Sequence, residues 1–182
     1  GRYKNSKFDN NIANGDGGAI FTLSLRGTLA NIIGTMIDSA MDGNIDFLTD
    51  LVNDDTLVYE KEYISNCAFT NNVANGRGGG AVYAFGHIDI SKCTFNSNKA
   101  GEKGGAVFGN KNVFISDSKF TNNNAPKYGG AVYFRCHDQG GHYENEKWVS
   151  SIRYYSNSIK NSVFTKNVAA KGGAIYAFRL DD

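Results

Sequence analysis

The stretch CAFTNNVANGRGGGAVY, residues 67–83, decides the fold. It begins with a small residue, reaches Phe69 two positions later and Asn72 three positions after that, and ends with paired glycines before Val82 and Tyr83. The same order recurs in four other segments: SKFDNNIANGDGGAIF (6–21), CTFNSNKAGEKGGAVF (93–108), SKFTNNNAPKYGGAVY (118–133) and SVFTKNVAAKGGAIY (162–176). We call the five segments repeats 1 to 5 in chain order. Self-similarity at a period of about 25 residues is the mark of a repeat architecture.

The residue types of one repeat exclude a helical unit, because paired glycines and asparagine-rich stretches are poor helix formers. Each repeat region instead offers three short strand candidates separated by turn residues. These are an apolar stretch such as HIDI (87–90), the residues around the phenylalanine, and the GGAVY or GGAIF ending. Three strands joined by three corners predict one coil of a parallel β-helix. The chain is therefore expected to be all-β, with about five stacked coils.

Fixed positions of the repeat become ladders when coils stack. The phenylalanines and the aliphatic residues of the endings are expected inside, and the asparagines at a corner, where an amide bonds backbone groups or the next asparagine. The paired glycines supply a tight turn or a close backbone approach. The predicted ladders are Phe8, Phe69, Phe95, Phe120 and Phe164; Ile20, Val82, Val107, Val132 and Ile175; and Asn11, Asn72, Asn98, Asn123 and Asn167.

The pairing of FTNN or FDNN with a following GGAIY or GGAVY resembles the repeat of polymorphic outer-membrane proteins and adhesin-like surface proteins. That family is found in chlamydial autotransporter passengers and in adhesin-like proteins of gut methanogens. The resemblance covers all five repeats but not two insertions between them. It implies a right-handed parallel β-helix that is displayed outside the cell and used for attachment, with no catalytic residue to carry over.

Composition and charge exclude several classes of protein. The 182 residues carry 19 Lys+Arg against 18 Asp+Glu, so neither nucleic-acid binding nor attraction to an anionic membrane is indicated. No apolar run approaches the roughly 20 residues of a membrane span. Because the chain begins at Gly1 without a signal-peptide core, it is interpreted as a piece of a longer protein. Uncapped coil ends would permit end-to-end self-association.

Three cysteines are too few for a disulfide scaffold at this length. Cys67 and Cys93 occupy equivalent positions in successive repeats, at a strand spacing of roughly 4.8 Å that a disulfide tolerates. Serine fills this position in the other repeats, so two free thiols are expected and a disulfide is the alternative.

The first insertion, residues 23–63, carries apolar residues at three- and four-residue steps from Leu25 to Met41, then again from Ile45 to Val52. This periodicity predicts an α-helical insertion after the first coil. We expect its apolar stripe to pack against the flank of the coils. The alternative is an exposed helical knob that binds a partner.

The second insertion, residues 135–157, has the sequence RCHDQGGHYENEKWVSSIRYYSN and is expected to be a loop after the fourth coil. It contains Tyr143, the only tryptophan, Trp148, and two of the three histidines, His137 and His142. Aromatic side chains with a polar tip suit stacking on glycans and contacts with proteins.

The residue order of the second insertion disfavours both catalysis and metal binding. A nucleophile–base pair of Cys136 and His137 is improbable because adjacent residues of an extended chain point to opposite sides. Zinc ligation by Cys136, His137, Asp138 and His142 lacks a recognised spacing. No metal, cofactor or catalytic residue is therefore expected.

Both insertions leave the coil after the Gly-Gly strand, so they are expected to project from the same side, about three coils or roughly 14 Å apart. Short connections between them would form the floor of a groove. The candidate ligand-binding residues are Arg135, His137, His142, Tyr143 and Trp148 on one wall, with Phe85 and His87 on the floor. The expected ligand is a glycan or protein on a host or neighbouring cell.

A polysaccharide lyase or glycoside hydrolase on the same scaffold is the alternative function, because a fold does not determine a function. A glycoside hydrolase needs two converging carboxyl groups. The acids of the regular repeats, such as Asp9, Asp89 and Glu102, share no register in the sequence. A non-enzymatic surface module is therefore favoured.

Overall fold

The structure is a computed structural model that describes residues 1–22, 60–144 and 147–178. The regular secondary structure of these residues consists of β-strands, without a helix. The predicted α-helical insertion lies outside the described residues, except for its last positions. Residues 61–63, which the prediction assigned to that insertion, belong to a strand of the repeat scaffold.

Most strands are two to five residues long. In chain order they are β1 (Arg2–Lys4), β2 (Lys7–Asp9), β3 (Ile12–Ala13), β4 (Ile20–Thr22), β5 (Lys61–Ser65), β6 (Ala68–Thr70), β7 (Val73–Ala74), β8 (Val82–Ala84), β9 (His87–Ser91), β10 (Thr94–Asn96), β11 (Lys99–Ala100), β12 (Val107–Gly109), β13 (Val113–Ser116), β14 (Lys119–Thr121), β15 (Val132–Arg135), β16 (His137–Glu144), β17 (Lys147–Tyr154), β18 (Ser158–Lys160), β19 (Val163–Thr165) and β20 (Ile175–Phe178).

Four parallel sheets contain all of these strands except β16 and β17. Sheet 1 has the order β1-β5-β9-β13-β18, sheet 2 has β2-β6-β10-β14-β19, sheet 3 has β3-β7-β11, and sheet 4 has β4-β8-β12-β15-β20. Neighbouring strands of each sheet come from successive repeats and pair in parallel. This arrangement is consistent with the predicted parallel β-helix. Its handedness and the number of its coils stay predictions.

The repeats contain one more strand than the sequence predicts. Three strands were expected in each coil, but the two residues after the ladder asparagine form the short strands of sheet 3 in repeats 1 to 3. In repeats 4 and 5 the same position is held by single bridges, from Lys99 to Asn124 and from Asn124 to Val168. A two-residue strand carries no alternation of polar and apolar residues, so the sequence pattern could not reveal it.

Left-handed backbone conformations turn the chain at three positions in each repeat. The first precedes the Cys or Ser, the second precedes the ladder asparagine, and the third is the first glycine of the pair. Six of the ten described non-glycine residues with positive φ are asparagines: Asn5, Asn10, Asn66, Asn71, Asn122 and Asn161. Asparagine tolerates this conformation better than most residues do. The high asparagine content therefore supplies corners as well as the buried ladder.

The two glycines of each pair have separate roles. Gly104 adopts a φ of 59°, which L side chains rarely adopt, and makes the turn. A Cβ on Gly105 would collide with the carbonyl oxygen of Gly130, the equivalent glycine of the next repeat. The tight turn and the close backbone approach, which the sequence offered as alternatives, both occur.

The phenylalanine ladder forms the centre of the core. Adjacent rings stack almost parallel, with centroids 4.6 to 4.7 Å apart from Phe8 to Phe164. Phe69, Phe95 and Phe120 are at most 1% exposed. The aliphatic ladder packs against these rings inside the same cluster. Burial of each such ring contributes about 1.5–3 kcal/mol. The phenylalanine and aliphatic side chains of the central repeats thus lie in the interior.

The asparagine ladder is buried and fully hydrogen-bonded at its centre. Asn98 donates from Nδ2 to Oδ1 of Asn123 and to the carbonyl oxygen of Phe69, both at 3.0 Å. Its own Oδ1 accepts hydrogen bonds from Nδ2 and the backbone N–H of Asn72, at 2.9 and 3.0 Å. Each asparagine thus bonds both the backbone and the next asparagine, as the repeat predicts.

Both cysteines of the repeat position carry free thiols. Sγ of Cys93 accepts the backbone N–H of Cys67 at 3.4 Å, and Oγ of Ser118 accepts that of Cys93 at 3.0 Å. The thiol therefore takes the place that a serine hydroxyl occupies in the next repeat. Burial raises the pKa of Cys93 to about 11, so this thiol is protonated at neutral pH.

Replacing a ladder asparagine is expected to cost more stability than replacing an exposed one. Asn98→Ala would remove the hydrogen bond to the Phe69 carbonyl and leave the backbone N–H of Asn72 without its acceptor. Each such loss at a buried group costs about 1–3 kcal/mol. We expect a loss of roughly 3 kcal/mol or more, measured by urea unfolding. Asn96→Ala, at an exposed position two residues earlier, is the control and should change stability by less than about 0.5 kcal/mol. Equal losses would contradict the role of the ladder.

Candidate functional site

Both insertions leave the scaffold at the same corner, between sheet 4 and sheet 1. Residues 23–60 connect β4 to β5, and residues 136–157 connect β15 to β18. Strands β4, β8, β12 and β15 are successive neighbours in sheet 4, so the two departure points lie three strands, or roughly 14 Å, apart. Between them the chain crosses the corner in short connections, residues 85–86 and 110–112. We call this corner the insertion corner.

The second insertion is a β-hairpin, which corrects the prediction of a loop. Strands β16 and β17 pair in antiparallel register, from His137 opposite Tyr154 to Glu144 opposite Lys147. The sequence of β16 contains two glycines and few strand-favouring residues, so it did not predict a strand by itself. Pairing with β17, which is rich in aromatic and β-branched residues, provides the strand conformation that local propensity did not.

The base of the hairpin is joined to the scaffold by hydrogen bonds. The backbone N–H of Tyr155 donates to the carbonyl oxygen of Cys136 at 2.7 Å and closes the hairpin. Asn157 donates from Nδ2 to the carbonyl oxygen of Arg135 at 2.9 Å, and its Oδ1 accepts the N–H of Val113 at 2.8 Å. The hairpin therefore starts from a fixed position on the scaffold.

A buried lysine lies beneath the hairpin base. Lys111 is only 2% exposed, and its Nζ donates to Oη of Tyr155 at 2.7 Å. The same ammonium group lies 5.1 Å from the centroid of the Tyr155 ring. A cation near an aromatic face is stabilised electrostatically, more strongly where water is excluded. Lys111 thus links repeat 3 to the hairpin of repeat 4.

The predicted floor residues lie on two different sheets. His87 begins β9 in sheet 1, and its Nδ1 accepts the backbone N–H of Asn112 at 3.3 Å. Burial, followed by the nearby charges of Lys111 and Lys61, lowers the pKa of His87, so the imidazole is neutral at pH 7. Phe85 instead packs on the outside of sheet 4, where its ring centroid lies 5.1 Å from that of Tyr83.

The register of the hairpin separates the predicted wall residues. Tyr143 lies directly opposite Trp148, and His142 pairs one step further toward the base with Val149. His137 pairs with Tyr154 at the base, six positions from Tyr143. Three side chains of β17 are largely exposed hydrophobic groups: Val149 (37%), Ile152 (46%) and Tyr154 (68%). Because side chains alternate along a strand, Ile152 and Tyr154 share one face of β17 and Val149 lies on the other.

An aromatic stack that the sequence pattern did not predict lies on the outer face of sheet 4. Successive ring centroids are 5.4, 4.5, 4.8 and 5.8 Å apart. The stack contains Phe21, Tyr83, Phe108, Tyr133 and Tyr176. The aromatic residue that ends every repeat was the available signal. Its position next to the inward valine or isoleucine requires the opposite face of the strand.

Arg135 lies on this outer face, away from the hairpin wall where the sequence analysis placed it. It follows Tyr133 by two positions on β15, and its side chain hydrogen-bonds the Tyr133 hydroxyl. The structure therefore brings Arg135 and Phe85 to the aromatic stack. It leaves His87 in sheet 1 and the remaining candidates on the hairpin.

The described residues provide no grouping of three or more His, Cys, Asp or Glu side chains that could hold a metal ion. Nor do the described segments include a helix of the length and apolarity that a membrane span requires.

Four segments of the chain match the Chlamydia polymorphic membrane protein repeat: residues 5–23, 92–110, 117–135 and 161–177. Each of the four segments is similar to the repeat of that family. These segments together comprise 74 of the 182 residues and confirm the resemblance drawn from the FTNN and GGAIY motifs. No curated protein and no solved structure matches the chain.

The matched polymorphic membrane protein repeats are repeats 1, 3, 4 and 5. Repeat 2 differs by one additional residue, because seven positions separate Asn72 from Gly79 where six separate Asn98 from Gly104. The structure nevertheless pairs Phe69 and Val82 in register with their counterparts in repeat 3. The additional residue lies in the loop between sheets 3 and 4, where it does not disturb the ladders.

A half-buried carboxylate in the equivalent loop of repeat 1, that of Asp16, predicts a pH-dependent stability. Oδ1 of Asp16 accepts the backbone N–H of Gly78 at 2.8 Å, yet burial raises the pKa of this carboxyl above its ordinary value. A raised folded-state pKa means that the ionised carboxylate is less favourable in the folded protein than in the unfolded chain. The folded protein is therefore penalised at pH values above the carboxyl range.

Asp16→Asn keeps an acceptor for Gly78 and removes the buried charge. We expect a higher melting temperature than wild type at pH 7, and a gain that disappears as pH falls through the carboxyl range, where wild-type Asp16 becomes protonated. Thermal unfolding followed by circular dichroism between pH 3 and 8 measures this. Asp9→Asn, the same charge change at an exposed position, is the control. A lower melting temperature of Asp16→Asn at pH 7 would contradict the prediction.

Proposed function

We propose that this chain is a cell-surface, adhesin-like binding module. Each repeat serves as one coil of a right-handed parallel β-helix that acts as a stiff stalk, and the insertions contact a glycan or protein on a host or neighbouring cell. The polymorphic membrane protein repeats support the surface location. The one structural observation that carries the binding role is the hairpin, whose base is fixed to the scaffold and whose strand β17 exposes apolar side chains.

The contact surface that we propose begins at the hairpin. Tyr143 and Trp148 are directly opposed on neighbouring strands, and large aromatic residues dominate the energy of many interfaces. The groove between the two insertions, with Phe85 and His87 at its floor, remains part of the proposal. His137 and His142 are proposed as polar contacts at its edge.

Shortening the hairpin tests the proposal without disturbing the repeats. The Tyr155 N–H and the Cys136 carbonyl already meet at 2.7 Å, so residues 137–154 can be replaced by two glycines. We expect the variant to keep the far-ultraviolet spectrum of the β-helix and to lose binding. The probes are a glycan array and a panel of cultured epithelial and bacterial cells. Unchanged binding by a folded variant would overturn the proposal.

A double variant locates the contact within the hairpin. Tyr143→Ala with Trp148→Ala is expected to reduce binding by about tenfold or more, as loss of aromatic anchors does in other interfaces. The control replaces two exposed apolar residues elsewhere, Ile12→Ala with Val168→Ala, and should leave binding unchanged. Equal effects of the two pairs would show that the hairpin aromatics have no special role.

A polysaccharide-active enzyme is the second candidate, and one observation favours it. Asp16 and Glu102 lie within electrostatic reach of each other, and their pKa values are shifted in opposite directions, upward for Asp16 by burial and downward for Glu102 by its hydrogen bond with Lys127. Such a split is typical of acid–base pairs. The test is incubation with oligogalacturonate, followed by assays for reducing ends and unsaturated ends. Release of either by wild type but not by Asp16→Asn would favour the enzyme.

A further inference from the structure

A row of cations borders the aromatic stack on sheet 4, away from the hairpin aromatics. It extends along the loop that enters sheet 4 and onto the outer face of β15. We call the row the cationic edge; it consists of Arg77, Lys103, Lys127, Arg135 and Lys171. Two carboxylates lie among these cations, those of Asp16 and Glu102.

Both carboxylates already have partners within the protein. Glu102 accepts a hydrogen bond from Nζ of Lys127 at 2.8 Å, and Asp16 accepts the backbone N–H of Gly78 at the same distance. The remaining cations of the edge therefore exceed the negative charge of their described neighbours. Like charges held close together are unfavourable unless an anion joins them.

Lys103 is held between aromatic rings. Its Nζ lies 5.4 Å from the ring centroid of Tyr133 and 5.8 Å from that of Tyr128. Burial lowers the pKa of Lys103, and the charges of Arg135, Arg77 and Lys127 lower it further against the opposing charge of Glu102. The ammonium group thus lies over aromatic rings and close to three other cations, with Glu102 as the opposing charge.

Arg135 supplies a second, independent observation. Its side chain hydrogen-bonds Tyr133, but its Nε is buried and has no hydrogen-bond partner within the part of the chain that the structure describes. A buried donor without an acceptor costs about 1–3 kcal/mol. An anionic oxygen bound beside Arg135 would remove that cost and offset part of the local positive charge.

The cations recur along the axis of the repeats. Lys103, Tyr128 and Lys171 occupy bridged positions in three successive repeats, and Nζ of Lys171 lies 5.9 Å from the Tyr128 ring. The half-buried Tyr128 therefore lies between two lysines, and the Cα atoms of these lysines are about two strand spacings, roughly 9.6 Å, apart. A linear polymer with regularly spaced acid groups and an apolar ring face matches this order, because sugar rings stack on aromatic side chains.

We propose that the cationic edge binds an acidic polysaccharide, with carboxylate or sulfate groups on Lys103, Arg135 and Lys171 and a sugar ring on Tyr128. This site lies outside the hairpin and the groove of the proposed function. The polymer extends along the repeat axis, so its affinity increases with the number of acid groups that the edge engages and decreases with salt.

The test measures binding of the full chain to three polymers by isothermal titration calorimetry. The probes are a heparin oligosaccharide, which carries sulfate and carboxylate, an oligogalacturonate, which carries carboxylate alone, and neutral dextran. We expect binding to at least one acidic polymer and none to dextran. The two acidic probes distinguish sulfate from carboxylate recognition. Absence of binding to both acidic probes, or equal binding to dextran, would overturn the proposal.

Matched double variants assign the site. Lys103→Gln with Lys171→Gln is expected to reduce affinity about tenfold or more, and Lys103→Arg with Lys171→Arg to restore it. Lys119→Gln with Lys160→Gln makes the same change of net charge at exposed positions of sheets 2 and 1, and should reduce affinity less than about twofold. Equal losses in both glutamine pairs, or a loss that only accompanies a lower melting temperature, would overturn the proposal.

The hairpin-shortened variant separates this proposal from the proposed function. It retains Lys103, Arg135 and Lys171, so we expect it to bind the acidic probe as wild type does. Loss of cell binding with retained binding of the acidic polymer would support both sites. Loss of both activities in a folded hairpin-shortened variant would contradict the separate cationic edge.

Discussion

The stacking register imposed by the buried asparagine ladder is the constraint on which the rest of the structure depends. Each central asparagine uses its side-chain amide to bond the asparagine of the next repeat and the carbonyl oxygen of the phenylalanine in the preceding repeat. A shift of one residue in any strand would leave these buried donors and acceptors unpaired. Hydrophobic burial in the shifted register would not offset the free-energy penalty of these unpaired groups. The phenylalanine rings and the paired glycines are in register because the asparagines are.

That constraint also decides where the chain can vary. Three corners of each repeat require a residue in the left-handed conformation or a backbone contact without a Cβ. Among the described residues, the insertion corner between sheets 4 and 1 has no residue of positive φ. It accommodates two residues in repeat 2, three in repeat 3 and a hairpin after repeat 4. Sequence variation, and with it specific contact chemistry, is concentrated at the corner that the ladders leave unconstrained.

The outer face of sheet 4 has a different character from the other described surfaces. Tyr83, Phe108 and Tyr133 are buried there although they point away from the core, because the loop entering sheet 4 and the lysine stems cover them. The ring of Phe108 lies so close to Gly78 that a Cβ at that position would collide with it. This second layer stiffens the scaffold and places charged groups over aromatic faces, an arrangement that suits anionic sugars better than neutral apolar partners.

The sequence by itself determined much of what recurs with the repeat: the parallel β-architecture, the interior phenylalanines and valines, and the asparagine ladder. It could do so because each feature is repeated five times at a fixed spacing. Only the tertiary structure decided what occurs once or depends on stacking. The two-residue strands of sheet 3 are too short to show a pattern, and the hairpin of β16 and β17 depends on pairing rather than on propensity. Arg135, Lys103 and Tyr133 come together because strands distant in sequence become neighbours in a sheet.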